Sequence, residues 1–462
     1  MFILPQEYQD SYLKDMETYL HDLLYTLQIK GRPINFVKLI EAISYNSENL
    51  ARIMIVNYLE KLDRDFMNCS FRKEKYLIKD HRPRTIITMY GEITYKRTIY
   101  IDKDTKERFI YVDSKMGIAK RIRYTEDVRA YAYEAYSDEN SMIKVGKELG
   151  NLIHCKFSLK RNDEYALSRQ TIYNFLKRVK PIHYVPKEKI RSETLFVLLD
   201  EKFIGCQDLG KKIMSKVCMT YTGLDKGKRN CLTGKNFFTS YSETFRYDLL
   251  TWIDEVYDLD EVKTFYFMSD GGGWIKETFN ELKLPGKTEI ICLDRFHAYR
   301  ALYDLCKDYT YYSIALYYIS RNDKVSFLKS IRHFVRNKKD EENYRYLKNN
   351  FKQCVNMYYA PGPSAMEQCV SHHVMSQFTS VPKAYSSKNI EGYLSMRDLY
   401  RNGHNLKKIY LEAVSSQKND TEINVVNKCH LDFSIFDKGS DLPYYEISNL
   451  KGKSLFIPYR II

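Results

Sequence analysis

Long apolar runs are missing from this sequence. None approaches the roughly 18 residues that a membrane helix needs, so no membrane-spanning segment is expected. The first residues already carry Gln6, Glu7, Gln9 and Asp10, which leaves no apolar stretch for a signal peptide and predicts an unexported protein. Paired cysteines are missing as well. The ten cysteines stand at 69, 155, 206, 218, 231, 292, 306, 354, 369 and 429, with no two separated by two to four residues. Neither a disulfide framework nor a zinc ribbon is indicated, and reduced cytosolic thiols are expected. Only 11 prolines and 19 glycines occur in 462 residues, against a hydrophobic share of 44%. That composition excludes collagen-like, low-complexity and mostly disordered chains.

What is present points to a large folded protein. A length of 462 residues suggests about three folding units. Lys and Arg total 73 against 59 for Asp and Glu, a formal charge of +14, which favours a polyanionic partner. The 41 tyrosines and the abundance of Lys, Ile and Asn match an AT-rich coding bias that itself raises the charge. Charge alone therefore does not specify a nucleic acid.

Between residues 6 and 67 apolar residues recur at three and four, as in Leu13, Met16, Leu20, Leu23 and Leu24, then Phe36, Leu39, Ile40 and Ile43. The spacing predicts amphipathic helices broken near Gly31-Arg32-Pro33. From 84 to 113 the period becomes two, predicting a small antiparallel sheet, basic on one face, with strands over 85–89, 93–100 and 109–112 and a turn at Tyr90-Gly91-Glu92. Three short helices are expected over 126–136, 141–149 and 168–179. The last opens at Ser168 and offers Arg169, Gln170, Tyr173, Asn174, Lys177 and Arg178 outward. It resembles a helix-turn-helix whose final helix enters a major groove, although an ordinary helical bundle linking two domains fits the same pattern.

After a basic linker over 181–191 the pattern becomes α/β. Strands are expected over 194–199, 213–221, 230–240, 263–268 and 288–293, and helices over 247–259 and 274–284. Residues 298–359 read as a basic helical insertion, and a final helical pattern runs over 365–378. The fold class is α/β (multidomain α+β). It comprises a helical region at 1–79 suited to dimerisation or DNA binding, a β-segment at 80–125, a helix-turn-helix-like DNA-binding region at 126–182, a catalytic domain at 190–415 with a helical insertion at about 298–360, and a tail at 416–462.

Two carboxylates stand where α/β sheets bind ligands, at the carboxyl ends of apolar strands: Asp200 after Leu195-Phe196-Val197-Leu198-Leu199, and Asp270 after Phe265-Tyr266-Phe267-Met268-Ser269. Each alone is as readily a turn former, and Gly271-Gly272-Gly273 after Asp270 suits a turn. The order of strand with Asp, two strands, helix, and strand with Asp is that of an RNase H-like core, which needs a third carboxylate from a later helix. Hard oxygen ligands suit two Mg²⁺ or Mn²⁺ ions, and phosphodiester chemistry follows from them. Glu367, within a helical pattern that would pack on a sheet, is preferred as the third acid over Glu391, which follows a turn-rich stretch and precedes Gly392. Asp294-Arg295-Phe296-His297 follows the next strand, and an Asp-x-x-His is by itself equally a structural histidine.

Together these segments resemble the ISLre-type insertion-sequence transposases, DDE enzymes with an RNase H-like catalytic domain. The resemblance spans roughly residues 84–403. It rests on Tyr90-Gly91-Glu92-Ile93 with Tyr95-Lys96-Arg97, on Asp200-Glu201, and on Ser269-Asp270-Gly271-Gly272-Gly273-Trp274. Leu293 to His297, Glu367-Gln368-Cys369-Val370-Ser371-His372 and the stretch from Met396-Arg397 to Asn402-Gly403 complete it. The family usually shows Glu-Gly where this chain has Glu367-Gln368, and Trp where it has Tyr385. The resemblance implies a DDE triad of Asp200, Asp270 and Glu367 holding two Mg²⁺ ions (or Mn²⁺) per active site, with His297 supporting the site's backbone or a phosphate. It also implies a cytoplasmic, nucleoid-associated homo-oligomer acting on double-stranded DNA, both element ends and target. Arg169, Asn174, Lys177 and Arg178 would recognise sequence, while Lys338 and Lys339 of the insertion, with Arg332, Arg336, Arg345 and Lys348, would track the backbone. A structure-specific nuclease or resolvase with the same core, and a DNA-binding regulator with an inert core, are the alternatives.

Overall fold

The computed structural model describes residues 36–153, 166–177, 181–182, 184–225, 227, 231–363, 373–374, 376–378 and 385–415, with positions 17 and 21 besides. Residues 1–411 form one unit and 412–462 another, and the elements below belong to the first. Among the described residues no helix is long and apolar enough to cross a membrane, and every described cysteine is a free thiol.

Helix α1 (Phe36–Asn68) and the short α2 (Ser70–Lys75) precede a three-stranded antiparallel sheet of β1 (Tyr76–Thr88), β2 (Gly91–Asp102) and β3 (Arg108–Phe109). Leu59 of α1 packs on Ile86, Ile93 and Tyr95, as the alternation of the strands requires. The strand expected over 109–112 stops at Phe109, and α3 (Tyr111–Lys115) begins there instead. Tyr111, Val112 and Asp113 are buried in succession, with the Ser114 and Met116 amides donating back to Ile110 O and Val112 O as the chain turns into the helix. Tyr111 stacks on Phe66 at 3.9 Å, and Asp113 accepts from Arg84 Nη1 at 2.5 Å and from Tyr95 Oη at 2.8 Å.

The three expected helices are α4 (Glu126–Glu139), α5 (Met142–Leu152) and α6 (Arg169–Leu176). Ser141 and Ser168 cap the last two, accepting from the backbone amides of Lys144 and Thr171. Gly146 allows the chain to close on α5. Leu167 N donates to its carbonyl at 2.8 Å, and a Cβ there would lie 2.4 Å from the Leu167 oxygen.

The α/β pattern after residue 190 resolves into β4 (Thr194–Cys206), β5 (Lys211–Tyr221), β6 (Gly223–Asp225), β7 (Cys231–Thr233), β8 (Asn236–Ser240), α7 (Phe245–Val256), β9 (Thr264–Ser269), α8 (Gly273–Glu281) and β10 (Thr288–Leu293). Then follow α9 (Arg295–Cys306), α10 (Tyr309–Ser320), α11 (Lys324–Arg332), α12 (Lys338–Asn349), α13 (Phe351–Tyr359) and α14 (Ser387–Arg401), with a helical turn at Ser376–Phe378 before the last. The five-stranded sheet has the order β10-β9-β4-β5-β8. β4, β5 and β8 are antiparallel, whereas β4, β9 and β10 run parallel. In order of appearance this is 5-4-1-2-3, the RNase H-like arrangement expected from the sequence.

Three expectations need correction. β4 does not stop before Asp200, because β5 continues to pair with it from Val217 opposite Asp200 to Lys211 opposite Cys206. The single strand expected over 230–240 is two, since Gly234 at φ +56° breaks it and sends β7 to pair with β6. Residues 387–389, the end of the turn-rich stretch before Glu391, are the start of a helix. Ile390, Tyr393, Leu394, Met396 and Leu399 of α14 are all buried, and their burial offsets the roughly 1 kcal/mol that a glycine such as Gly392 costs inside a helix.

One face of the sheet carries α7 and α8. There Leu195, Val197, Leu199, Phe265 and Phe267 meet Phe245, Leu249, Ile275 and Phe279. The other face carries the end of α13 and residues 360–363. Asn356 Nδ2 donates to Ile291 O at 2.8 Å, and Tyr221 Oη donates to Pro363 O at 2.7 Å. The rings of Tyr221, Phe196 and Tyr266 stack across three strands beneath Gly362, where a Cβ would fall 2.7 Å from the Phe196 ring.

Candidate active site at the ends of the parallel strands

The parallel half of the sheet brings acidic residues level with one another. The last rung between β4 and β9 joins Leu198 to Met268, and two residues further on stand Asp200 and Asp270. The last rung between β9 and β10 joins Ser269 to Leu293, one residue before Asp270 and Asp294, and Asp294 N donates to Ser269 O at 2.7 Å. Neighbouring strands lie about 5 Å apart, so the three aspartates form one row across three strands. Alternation from Phe196, Tyr266 and Ile290, which pair across the strands, assigns all three to the face that also carries α13 and Pro363.

Local geometry holds each acid in place. Asp270 Oδ1 accepts from Gly272 N at 2.9 Å, and the turn needs Gly271 at φ +89°, a left-handed conformation that favours glycine. Asp294 is buried and caps α9, accepting from His297 N at 3.2 Å. The Asp-x-x-His spacing is thus that of a helix N-cap and its third residue. His297 is half-buried at the head of α9, with its ring edge-on to Phe296. Glu201 projects to the opposite face, where it accepts from Trp274 Nε1 of α8.

Helix α12 of the insertion lies against the Asp270 and Asp294 end of this row, where Asn350 at its end meets Gly271. Tyr346 Oη is buried there, without a hydrogen-bond partner among the described residues. Burial raises its pKa, and the charges of Asp270 and Asp294 raise it further, so the neutral hydroxyl faces the acids. Asn350, at the end of α12, lies against Gly271 and accepts from Lys276 Nζ at 3.2 Å.

The candidates for a third ligand fare differently. Glu367 lies outside the described residues. Glu391 sits on α14 against the edge strand β8, where its Oε1 accepts from Ser240 Oγ at 2.7 Å and Tyr241 N at 2.9 Å. Asp398 Oδ2 accepts from Thr239 N at 2.7 Å, and Asn402 Oδ1 accepts from Phe237 N at 2.7 Å. These three side chains, two on α14 and one at its C-cap, take the amides of residues 237, 239 and 241, which would otherwise be exposed on an unpaired edge. Glu391 therefore performs a strand-covering role. Among the described residues no three His, Cys, Asp or Glu side chains converge to hold a metal ion. Asp200 and Asp270 supply hard oxygen donors of the right kind, but two are an incomplete set.

Burial raises the pKa of Glu391. Its folded value exceeds that of the unfolded chain, so its contribution to stability is complete below the unfolded value and is lost as pH rises through the folded one. Glu391→Gln, which keeps the acceptor oxygen, should flatten that decline. Urea midpoints of both proteins across pH 4 to 8 check this. An unaltered pH slope would contradict the assignment.

The residues expected to bind DNA are distributed over two regions. Arg169, Gln170 and Tyr173 face a cleft of about 1,110 Å³ that they share with residues 141–144 and with Tyr385, Ser386 and Asn389. Tyr173 Oη accepts from Asn389 Nδ2 at 3.3 Å, so this side of α6 has α14 as a wall. Asn174 and Lys177 are exposed, whereas Arg178 lies outside the described residues. Lys338 and Lys339 are exposed in the first turn of α12. Arg332 and Arg345 both pair with Glu341, at 2.9 and 3.1 Å, which neutralises part of the expected basic face.

Asp294 enters the sequence analysis only within the Asp-x-x-His pattern, although it satisfies the rule that singles out Asp200 and Asp270, an acid after an apolar strand. Tyr346 carries no sequence signal among 41 tyrosines.

A family model described as "Uncharacterised protein family (UPF0236)" matches residues 31–412. Similar relatives are UPF0236 proteins of Caldanaerobacter subterraneus subsp. tengcongensis. One, whose name joins eleven locus designations, is 24% identical over 417 residues, covering 86% of this chain and 84% of its own. A second, joining four designations, is 24% identical over 397 residues, covering 82% and 80%. A third, joining two, is 24% identical over 397 residues, covering 82% and 76%.

Proposed function

The chain belongs to the uncharacterised protein family UPF0236, and on that premise we propose that it is a DNA transposase of an insertion sequence, cleaving and joining strands with a DDE triad. The observation that carries this reading is the level pairing of Asp200 and Asp270 on adjacent parallel strands of an RNase H-like sheet. The occurrence of one relative at eleven loci of a single genome supports it, since a mobile element multiplies its own gene.

Asp200, Asp270 and Glu367 would hold Mg²⁺ or Mn²⁺. Bound in pairs, such ions activate a water or 3′-hydroxyl and stabilise the leaving oxygen of an in-line displacement. The protein's part is to fix the carboxylates on rigid strand ends and to exclude bulk water with α12. Lys338 and Lys339 would contact the backbone of double-stranded DNA independently of sequence. A homo-oligomer would hold the two element ends together.

The test is incubation of the full-length protein with duplex DNA carrying the ends of its own element and a second, target duplex, with Mg²⁺ or Mn²⁺. Nicks at the element ends and joined products are expected. Cleavage without joining would indicate a nuclease or resolvase, and binding without either would indicate a regulator.

A further inference from the structure

The insertion bears an exposed aromatic face that begins at the acidic row. Helix α9 is capped by Asp294, and Phe296, Arg300 and Tyr303 recur along it at spacings of four and three, which is one stripe of a helix, with Lys307 at the left-handed cap just beyond its end. Phe296 is 45% and Tyr303 53% exposed, with Arg300 and Lys307 exposed beside them. The Arg300 guanidinium lies 5.8 Å from the centre of the Phe296 ring. Tyr309, 77% exposed at the start of α10, extends the face through Tyr312, whose ring is 6.1 Å from Tyr309 and 6.3 Å from Tyr303.

Contiguous exposed rings mark an interaction surface, and the accompanying charge narrows the partner. The stripe and the cap that follows it hold two rings and two cations, and the carboxylate next to them, Asp308, is engaged in capping α10, where it accepts from Thr310 N at 2.7 Å. That combination fits a polyanion that also presents flat faces. Duplex DNA hides its base faces in the stack, whereas unpaired nucleotides offer them to aromatic side chains while their phosphates meet Arg and Lys. Phe296 and Tyr303 are seven residues apart, about 10 Å along the helix axis, or about three base steps of 3.4 Å.

We propose that this stripe binds unpaired nucleotides flanking the scissile bond, so that the preferred substrate is a duplex with a single-stranded segment beside the cleavage position. The placement of the scissile bond rests on the transposase reading. The binding surface itself does not depend on catalysis.

Fluorescence anisotropy in EDTA, where no cleavage occurs, tests it with three DNAs: an element-end duplex, the same duplex with a short unpaired tail, and the same with an abasic tail. The tailed duplex should bind about tenfold more tightly than the other two. Phe296→Ala with Tyr303→Ala should abolish that advantage while leaving duplex affinity within about twofold, because both side chains are exposed and stacking is what they lose. Phe296→Trp with Tyr303→Trp should restore it. The proposal is overturned if the wild type binds all three DNAs equally, if the abasic tail does as well as the natural one, or if the alanine pair keeps the advantage. It is also overturned if the alanine pair alters only self-association in sedimentation velocity. Cleavage and joining without any tail preference would sink this inference alone, and a tail preference without cleavage would sink the transposase reading alone.

Discussion

Asp200→Asn should lower metal-dependent cleavage by on the order of 10³-fold, the loss expected when about 4 kcal/mol of charge stabilisation at the reacting phosphate is removed. Volume and shape barely change, and Asp200 remains within β4, opposite Val217, so the fold should persist. Without metal the variant should melt no lower than the wild type, because one of three level carboxylates has lost its charge and like-charge repulsion falls. Added Mn²⁺ should raise the melting temperature of the wild type by linkage but leave that of the variant unmoved. DNA affinity measured in EDTA should be retained. Full cleavage by the variant, or equal loss of binding and cleavage in a folded protein, would show that Asp200 is structural. Asp270→Asn should behave alike, except that the turn bond from Gly272 N can still be accepted by the amide oxygen.

Asp398→Ala should reduce stability by about 4 kcal/mol while touching none of the level acids. The buried Asp398 carboxylate accepts from Thr239 N, from Thr239 Oγ1 at 2.9 Å and from His373 Nε2 at 2.7 Å. His373 is buried, and burial lowers its pKa, so the neutral ring donates this bond. Truncation strands the edge amide of Thr239 and leaves Thr239 Oγ1 and His373 Nε2, 3.2 Å apart, with only each other in place of the carboxylate, and each unsatisfied buried group costs about 1–3 kcal/mol. The same helix turn carries Arg397, which donates to His373 O at 3.3 Å and to Ser137 O at the end of α4, tying the helix-turn-helix-like region to the sheet. Loosening α14 should therefore also expose that junction to proteolysis. The urea midpoint of Asp398→Ala against wild type measures the effect. A cost below about 1 kcal/mol would mean that water replaces the carboxylate, and that β8 is not protected as described.

These two expectations separate what local pattern conveys from what it cannot. Apolar strands of five or six residues, each followed by Asp, are a one-dimensional signal, because buried parallel strands need continuous hydrophobic runs and their carboxyl ends need polar groups. The sequence by itself therefore determined the order of strands and helices, the RNase H-like class, and the choice of Asp200 and Asp270. It also determined the Ser141 and Ser168 caps, since a cap is a contact over three residues. Only the tertiary structure decided register. It set Asp200, Asp270 and Asp294 level, a relation among residues up to 94 positions apart that no local period encodes. It likewise moved Glu391 from candidate ligand to guardian of β8, because an unpaired strand edge demands acceptors and α14 supplied them from a distant part of the chain. And it placed Tyr346 over the acids, since the side of a helix that meets a site depends on how the insertion packs, not on the identity of the residue.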